Sequence, residues 1–395
     1  MNQLLKKARQ MLEKNIIPFW QNLRDDYYGG YIGHVDFSMQ LDIKAEKGCI
    51  LHSRILWFFS EAALLLNRMD LAADAEHVYS FFIQHCLDWD YGGVYWAVSF
   101  DGTPVDMTKH TYNQAFALYA LSSYYRLTKN PNAKKLAYQL FDLIQTRAYD
   151  GVGYLEAFDR NWNPVSNEKL SENGVIAGRT MNTLLHVFEA YSGFYRATQD
   201  KRVGDAMRQI LQIYQEKIFN SEKCRQEVFF DMNYHSLIDL HSYGHDIESS
   251  WLIDDGCSLL QDDTLCTAVF AINDILAKNI YEIAYQNHSV LNECENGKPD
   301  ENRIWWVQAE SVLGFYHMYE KHGDCRYLQA AHDIFDYIEQ HFLVPDQPSE
   351  WFWALDKNGV PLQNMDIVNE WKCPYHNGRM CLELIRRNLY DAETV

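Results

Sequence analysis

The sequence lacks the features that define several classes of protein. Its nine cysteines are scattered and form no CxxC pair, which argues against a zinc site and favours reduced thiols in a cytoplasm. Basic residues are in deficit, with 35 Lys and Arg against 54 Asp and Glu, and a net charge of −19 would repel nucleic acid or an anionic membrane. No run of about twenty residues lacks charge, so we expect no transmembrane helix.

The composition is that of a folded protein with a sizeable core. Hydrophobic residues make up 47% of the 395 residues and charged residues 23%, which excludes disorder as the main state. Apolar residues recur at helical spacing in about twelve segments. These segments are 2–17, 51–67, 70–87, 110–128, 132–147, 181–198, 201–219, 245–260, 264–283, 303–321, 325–342 and 374–390.

Short aromatic segments that end in a turn recur between pairs of helices. They begin at Tyr95, Tyr154, Phe229 and Phe352, and each is typical of a β-hairpin. Because a two-helix unit cannot bury both of its faces alone, about six such units are expected to close into a ring. We therefore predict an all-α fold, an (α/α)6 barrel with short β-hairpins in the loops at one end, as a single domain over residues 1–395. An open solenoid is the competing architecture.

Two histidines stand at predicted helix starts. His245 opens a helix in SYGHDIESSWL, with Glu248 three residues on and on the same face. His376 follows Pro374 in WKCPYHNG, and proline suits the first turn of a helix. A histidine at a helix start often serves only the backbone, but two such sites with neighbouring aromatics favour a functional reading.

Further polar side chains fall where inner helices would line a pocket. Asn182, His186 and Glu189 share one face of a helix whose other sides are apolar, which is typical of a helix beside a wet cavity. An alternative is that this face is a solvated stripe. Arg54 lies among apolar residues and must be paired or face a cavity. The other candidates in such positions are Tyr112, Trp306, Glu310 and Trp371.

Five segments together resemble the N-acylglucosamine 2-epimerase superfamily, and most closely its cellobiose 2-epimerase branch. They are HSRILWFF, RTMNTLLHVFEAY, SYGHDIESSWL, WWVQAE and WKCPYHNG, and they follow one another in the expected order. The resemblance as a whole runs from the first helix to near residue 390. The resemblance implies a helical barrel that epimerises C2 of the reducing-end glucose or mannose unit of β-1,4-linked disaccharides. Leu184, where a second histidine is expected, and Arg179, where lysine is usual, depart from the family pattern and leave the shape of the pocket open.

The resemblance also implies residue roles. His245 and His376 would be the general acid/base pair, and His186 would assist ring opening or hold O1. The substrate-binding residues would be Arg54, Tyr112, Asn182 and Glu248 through hydrogen bonds, Trp306 and Trp371 through stacking, and Glu310 of the WWVQAE segment.

Two histidines suit this reaction because inversion at C2 needs a proton removed from one face and returned to the other. With an ordinary pKa of about 6.5, one imidazole is expected to be the neutral acceptor and the other the charged donor, and no cofactor or metal is required. The cis-enediolate intermediate is an anion that donors such as Arg54 and His186 would stabilise.

Other functions remain open from the sequence. An aldose–ketose isomerase acting on a mannose-type monosaccharide would use one face of the sugar only. A glycoside hydrolase would use two carboxylates, drawn from Asp246, Glu248, Glu310 and Glu370. A carbohydrate-binding partner protein is the non-enzymatic alternative. For the epimerase we expect a disaccharide substrate, no nucleic-acid or membrane partner, and a monomer.

Overall fold

The computed structural model describes residues 3–171 and 173–393, which are mostly helical. The α-helices, numbered in chain order, are α1 Gln3–Met11, α2 Ile17–Asn22, α3 Cys49–Leu66, α4 Met69–Phe81, α5 Thr111–Thr128, α6 Pro131–Leu143, α7 Met181–Thr198, α8 Lys201–Ile213, α9 Tyr243–Ser258, α10 Asp263–Ile283, α11 Trp305–His322, α12 Cys325–His341 and α13 His376–Glu393. Short π-helical turns extend α1, α4, α6 and α8, at Leu12–Ile16, Phe82–Cys86, Ile144–Ala148 and Tyr214–Ile218.

Six of these helices form a closed inner ring. Helices α3, α5, α7, α9, α11 and α13 each contact the next, and α13 contacts α3 to complete the circle. The outer layer consists of α4, α6, α8, α10 and α12, each packed on the inner helix that precedes it, and of α1 packed on α13. The predicted (α/α)6 barrel is therefore confirmed, and the open solenoid is not observed.

The inner helices are buried on all sides and the outer helices on one side, and the sequence explains the difference. In α3 every residue from Cys49 to Ala63 is buried, because an inner helix is enclosed by both neighbours and by the outer layer. In α8 the buried residues, among them Val203, Met207 and Leu211, recur on one face only. One continuous hydrophobic core joins both layers.

Short strands lie at the end of the barrel where the inner helices begin. They are β1 Lys47–Gly48, β2 Ala97–Val98, β3 Pro104–Asp106, β4 Lys109–His110, β5 Ala157–Phe158, β6 Arg179–Thr180, β7 Phe219–Asn220, β8 Arg225–Gln226, β9 Phe229–Phe230, β10 Leu240–Ser242, β11 Tyr285–Gln286, β12 Ser289–Val290, β13 Glu293–Glu295, β14 Lys298–Asp300, β15 Arg303–Ile304 and β16 Ala354–Leu355.

The strand pairing repeats around the ring. The strand before an inner helix pairs antiparallel with the hairpin of the following unit, as in β1–β2, β4–β5, β6–β9, β10–β13 and β15–β16. A single bridge between Val35 and Val368 occupies the sixth position and joins the two ends of the chain. This pairing fixes the start of each inner helix relative to its neighbour.

The four hairpins predicted from aromatic segments are present. Strands β2 and β3 form the first, and bridges from Phe158 to Pro164, from Phe230 to Ser236 and from Leu355 to Pro361 close the others. The sequence analysis missed the hairpins of residues 285–300, whose strands carry polar residues and lack the aromatic pattern.

One inner helix has the length and composition of a membrane span, although the sequence predicts no transmembrane helix. Helix α3, Cys49–Leu66, is long and apolar enough to cross a membrane by length and composition, although it contains Arg54 and Glu61. Its position accounts for this composition, since 83% of its residues are buried inside the protein as part of the inner ring.

Candidate active site

A cavity of about 330 Å³ opens at the N-terminal ends of the inner helices. Its size is within the range of small-molecule sites. The residues that line it are Arg54, Tyr112, Lys169, Leu170, Asn182, His186, Val228, Phe229, Leu240, Ser242, His245, Glu248, Asn292, Glu293, Ile304, Trp305, Trp306, Trp353, Trp371 and His376.

Nine of the ten residues selected from the sequence therefore meet in one cavity. The exception is Glu310, which was assigned to substrate binding. The structure places its carboxylate behind His376, where Oε1 lies 2.7 Å from Nδ1 of the imidazole. Because Glu310 is fully buried and outside the cavity wall, it contacts a candidate catalytic group rather than the space for a ligand.

His245 is the third residue of α9, and its imidazole faces the cavity. Its Nδ1 atom lies 2.7 Å from the hydroxyl oxygen of Ser242, and its ring centroid lies 4.8 Å from that of Trp306. Burial, together with the nearby charge of His186, lowers the pKa of His245 to about 3. The unliganded site thus favours a neutral imidazole at this position.

His376 is the first residue of α13 and lies against the same tryptophan, with a centroid distance of 5.5 Å to Trp306. Two carboxylates approach its Nδ1 atom, Glu310 at 2.7 Å and Glu248 at 3.9 Å. Burial and then the positive charge of Arg379 lower the pKa of His376 well below its ordinary value. Both histidines are therefore biased toward the neutral form, whereas the sequence analysis expected one of them to be charged.

The close approach of Trp306 to α9 depends on a glycine. A Cβ atom at Gly244 would lie 2.4 Å from the indole of Trp306, closer than any side chain permits. Glycine next to His245 therefore lets one indole contact both imidazoles. His245 and His376 therefore share one aromatic neighbour in the wall of the cavity.

His186 projects from α7 between two aromatic rings. Its ring centroid lies 5.1 Å from Tyr112 and 5.0 Å from Phe116, and its Nδ1 atom lies 2.8 Å from Oε2 of Glu189. Glu189 is buried, yet the charge of Arg379 and the hydrogen bond to His186 overcome burial and hold its pKa at about 2. An ionised carboxylate thus orients His186, with the other ring nitrogen free to face the cavity.

Arg54 is a buried cation at the cavity wall. Its Nη2 atom donates to the hydroxyl of Tyr112 at 2.8 Å, and Nη1 donates to the carbonyl oxygen of Trp371 at 3.2 Å. Its guanidinium also lies 4.1 Å from the ring centroid of Phe116. Within residues 3–171 and 173–393 no carboxylate pairs with Arg54, so its positive charge is directed at the cavity, where an anion would be stabilised.

Two buried acceptor oxygens of cavity-lining residues have no hydrogen-bond partner among the residues that the structure describes. They are Oδ1 of Asn182 and Oε2 of Glu248. A buried acceptor without a partner is costly, and a ligand hydroxyl would satisfy each of them. Burial, together with the charge of Glu310, raises the pKa of Glu248 to about 7.

Glu248, Glu310 and His376 place potential metal-ligand atoms within 4.8 Å of one another. Arg379 already supplies positive charge at this point, because its Nη2 atom donates to Glu248 and, at 2.8 Å, to Glu310. A divalent ion would have to share these carboxylates with the guanidinium. The donor set therefore suits an arginine-centred cluster better than a cation site.

The sequence analysis missed several residues of the site. Arg379 follows His376 by three positions and so shares its helix face, a signal that was available in the HNGR string. Ser242 precedes His245 in the SYGH segment, and Trp305 stands next to Trp306. The rim residues Lys169, Leu170, Asn292, Glu293 and Trp353 come from loops and short strands and carry no spacing pattern that would group them.

The two departures from the family pattern lie outside the cavity. Leu184 is buried among apolar residues that include Met181 and Leu211, between α7 and α8. Arg179 donates to Asp150 at 2.6 Å and to the carbonyl oxygen of Met232. Neither residue lines the cavity, so the shape of its wall does not depend directly on them.

The fold and the site together define an (α/α)6-barrel protein with a histidine-rich, tryptophan-walled cavity at the N-terminal ends of its inner helices. The family model described as N-acylglucosamine 2-epimerase (GlcNAc 2-epimerase) matches residues 29–376, and the chain belongs to this family.

Proteins named cellobiose 2-epimerase are similar over almost the whole chain. The one from Ruminococcus albus is 43% identical over 386 residues, which cover 98% of this chain and 99% of that protein. The one from Eubacterium cellulosolvens is 44% identical and covers 96% and 98% of the two chains. A solved structure of the cellobiose 2-epimerase from Bacillus thermoamylovorans B4167 has a TM-score of 0.95 at 42% identity, covering 98% and 100% of the two chains.

Proposed function

We propose that this protein is a cofactor-independent epimerase that inverts C2 of the reducing-end glucose or mannose unit in a β-1,4-linked disaccharide. The reference reaction is the conversion of cellobiose to 4-O-β-D-glucosyl-D-mannose. The observation that carries the proposal is that His245 and His376 line a single cavity and both contact the indole of Trp306. The similarity to cellobiose 2-epimerases over almost the whole chain supports the choice of substrate class.

The first step opens the sugar ring to its aldehyde. His186 is suited to this step because Glu189 binds its Nδ1 atom at 2.8 Å and leaves the other nitrogen to exchange a proton with the ring oxygen or O1. Glu248 and Asn182 each offer an unpartnered oxygen to sugar hydroxyls. These contacts hold the substrate by groups that do not change during the reaction.

The second step moves the C2 proton. One imidazole is neutral and takes the proton from one face of C2, and the other is protonated before this step and returns its proton to the opposite face, so the pair carries one extra proton throughout. The lowered pKa of His245 suits the base in one direction. His376 has a carboxylate partner at 2.7 Å, which stabilises its charged form when it is the donor. The roles of the two histidines exchange when the reaction runs in reverse.

The intermediate between the two proton transfers is a cis-enediolate, with negative charge on O1 and O2. Arg54 is buried beside the cavity without a carboxylate partner in the described ranges, so its charge can act on this anion. Such preorganised donors contribute on the order of 3–4 kcal/mol to transition-state stabilisation. We assign this role to Arg54, with Tyr112 fixing the guanidinium.

The positions of the carboxylates weigh against a glycoside hydrolase. Of the four that the sequence offered, only Glu248 lines the cavity. Asp246 binds His241 at 2.7 Å, Glu370 accepts from Trp96 at 3.0 Å, and Glu310 lies behind His376. A hydrolase of this type needs two carboxylates that flank one glycosidic bond.

Product analysis tests the proposal. Cellobiose, mannobiose and lactose are incubated side by side, and the sugars are separated and identified by NMR. Glucosyl-mannose as the product from cellobiose is expected. Free glucose as the main product would establish a hydrolase, and a ketose as the dominant early product would establish an aldose–ketose isomerase.

We also propose that the protein is a monomer and that it works in a reducing, cytoplasmic compartment. All nine cysteines are free thiols, including Cys257 and Cys266, whose Sγ atoms lie 3.1 Å apart. Thiols this close would be expected to pair in an oxidising compartment. Light scattering on the purified protein and fractionation of the producing cells test the two statements.

A further inference from the structure

A buried cluster of one arginine and three carboxylates lies behind the cavity wall. Arg379 is on the first turn of α13 and is 1% exposed. Its Nη1 atom donates to Oε1 of Glu189 at 2.5 Å. Its Nη2 atom donates to Oε1 of Glu310 at 2.8 Å and also to Oε1 of Glu248. One guanidinium therefore joins carboxylates from α7, α9 and α11.

Two of these carboxylates are the partners of candidate catalytic histidines. Glu189 binds Nδ1 of His186 through its second oxygen, at 2.8 Å, and Glu310 binds Nδ1 of His376 at 2.7 Å. The two histidines are thus joined through Arg379, although neither touches it directly. His245 lies outside this connection, because its Nδ1 partner is the hydroxyl of Ser242.

The three buried carboxylates need the positive charge of Arg379 to stay ionised side by side. Burial raises the pKa of Glu248 and of Glu310, and the positive charge of Arg379 opposes the rise in both. Without a cation, three buried carboxylates on neighbouring helices would repel one another or take up protons. The guanidinium donates in a fixed planar fork, whereas a lysine ammonium is a compact charge on a flexible stem and would hold the carboxylates in less defined directions.

We propose that Arg379 is a positioning residue that orients His186 and His376 together, by holding Glu189 and Glu310 on one guanidinium. Arg379 itself does not line the cavity. The inference rests on the proposed function for the roles of the two histidines, which serve ring opening and proton transfer. Loss of Arg379 is then expected to disturb both histidines and to leave His245 unchanged.

The pH dependence of the cluster also depends on the other ionisable groups that surround it. They are Arg54 on α3, Tyr112 and Tyr119 on α5, His186 and Glu189 on α7, His245 and Glu248 on α9, Glu310 on α11, and Tyr375 and His376 on α13.

Two variants separate the charge of Arg379 from its geometry. Arg379→Lys keeps the positive charge and loses the fork, whereas Arg379→Gln loses both. We expect kcat on cellobiose to fall about 10- to 100-fold in each, with KM changed less than about threefold, since outer partners of functional groups have effects of this size. Arg386→Lys is the matched control, because Arg386 lies on the same helix and pairs with Glu61 at 2.8 Å.

The pH profile of kcat/KM distinguishes positioning from a structural role. In Arg379→Gln, loss of the positive charge raises the pKa of His376 and of the three carboxylates, so the acidic limb moves to higher pH. In Arg379→Lys the limb stays near that of the wild type while the rate is reduced. A merely structural arginine would lower the thermal midpoint of both variants and leave the profile of the folded fraction unchanged, which would overturn the proposal.

A second measurement does not depend on turnover. In protein labelled with 15N-histidine, we expect the ring-nitrogen signals of His186 and His376 to shift in both variants and those of His245 to stay in place. Unchanged signals of His186 and His376, or an equal shift of His245, would refute the inference. If the wild type does not epimerise disaccharides but the signals respond as expected, the proposed function fails and the positioning role remains. Should Arg379→Gln not fold, Arg379→Lys alone supports the same comparison.

Discussion

The Nδ1 atom of His376 lies 2.7 Å from Oε1 of Glu310, which is on the neighbouring inner helix α11. The Nδ1 atom of His245 lies at the same distance, 2.7 Å, from the hydroxyl oxygen of Ser242. The two imidazoles that share the Trp306 wall therefore differ in their ability to hold a second proton, because a carboxylate stabilises an imidazolium and a hydroxyl does so only weakly. This asymmetry leads to four predictions.

Glu310→Gln should lower the catalytic rate and leave substrate binding nearly unchanged. The amide keeps the shape and still accepts a hydrogen bond from His376, but it no longer stabilises the charged ring. We expect kcat on cellobiose to fall about 10- to 100-fold with little change in KM. Glu320→Gln, on the same helix and paired with Arg387 near the surface, is the control and should retain full activity. Equal rates for the two variants would contradict the role given to Glu310.

Replacing either histidine should separate proton exchange from inversion. His245→Asn and His376→Asn should both produce no epimer, since each face of C2 needs its own base. In D2O the remaining histidine can still exchange the C2 proton on its own face, so each variant should incorporate deuterium into one epimer and not the other. NMR of recovered cellobiose and glucosyl-mannose measures this. Exchange into both epimers by one variant would mean that a single base reaches both faces.

The lowered pKa of His245 also predicts how stability depends on pH. The unfolded chain takes up a proton near pH 6.5, whereas the folded protein takes it up only near pH 3. This contribution to stability is complete above pH 6.5 and is lost as the pH falls towards 3.

Between pH 7.5 and 5, the free energy of unfolding should therefore fall by about 1–2 kcal/mol more for the wild type than for His245→Asn. Urea titrations at both pH values measure the difference. His235→Asn, at an exposed hairpin position, is the control and should follow the wild type. Parallel pH dependence of His245→Asn and the wild type would mean that His245 is not held neutral.

Gly244→Ala should displace the tryptophan that both imidazoles contact. The new methyl group would lie 2.4 Å from the indole of Trp306, and the indole must move away from α9. We expect kcat/KM to fall about 10- to 100-fold, because a small misplacement of reacting groups has effects of this size. Gly204→Ala on α8 is the control, since its Cβ would meet a side-chain atom of Tyr195 at 3.1 Å on the outer layer. A wild-type rate for Gly244→Ala would show that the packing of Trp306 is not required.

The fold could be predicted because its signals are local. Twelve stretches of helical periodicity and four aromatic hairpins are written into the order of residues, and the structure contains elements at all of these places. Where the sequence failed, as in the hairpins of residues 285–300, the strands are short and polar, and one of them, β13, also pairs with the more distant β10. The burial of α3 depends on its neighbours in the ring, and this burial accounts for the apolar composition of the helix.

The sequence by itself grouped nine of the residues that line the cavity, since His186, His245 and His376 each stand at or near the start of an inner helix, and a closed ring brings such starts together. Only the tertiary structure decided what each of them contacts. Glu310 moved from the cavity to a position behind His376, and Arg379 joined three helices that are far apart in the chain. Hydrogen bonds and burial depend on the distances between helices. Helical periodicity determines on which face of its helix a residue lies, but not which residue of another helix it contacts.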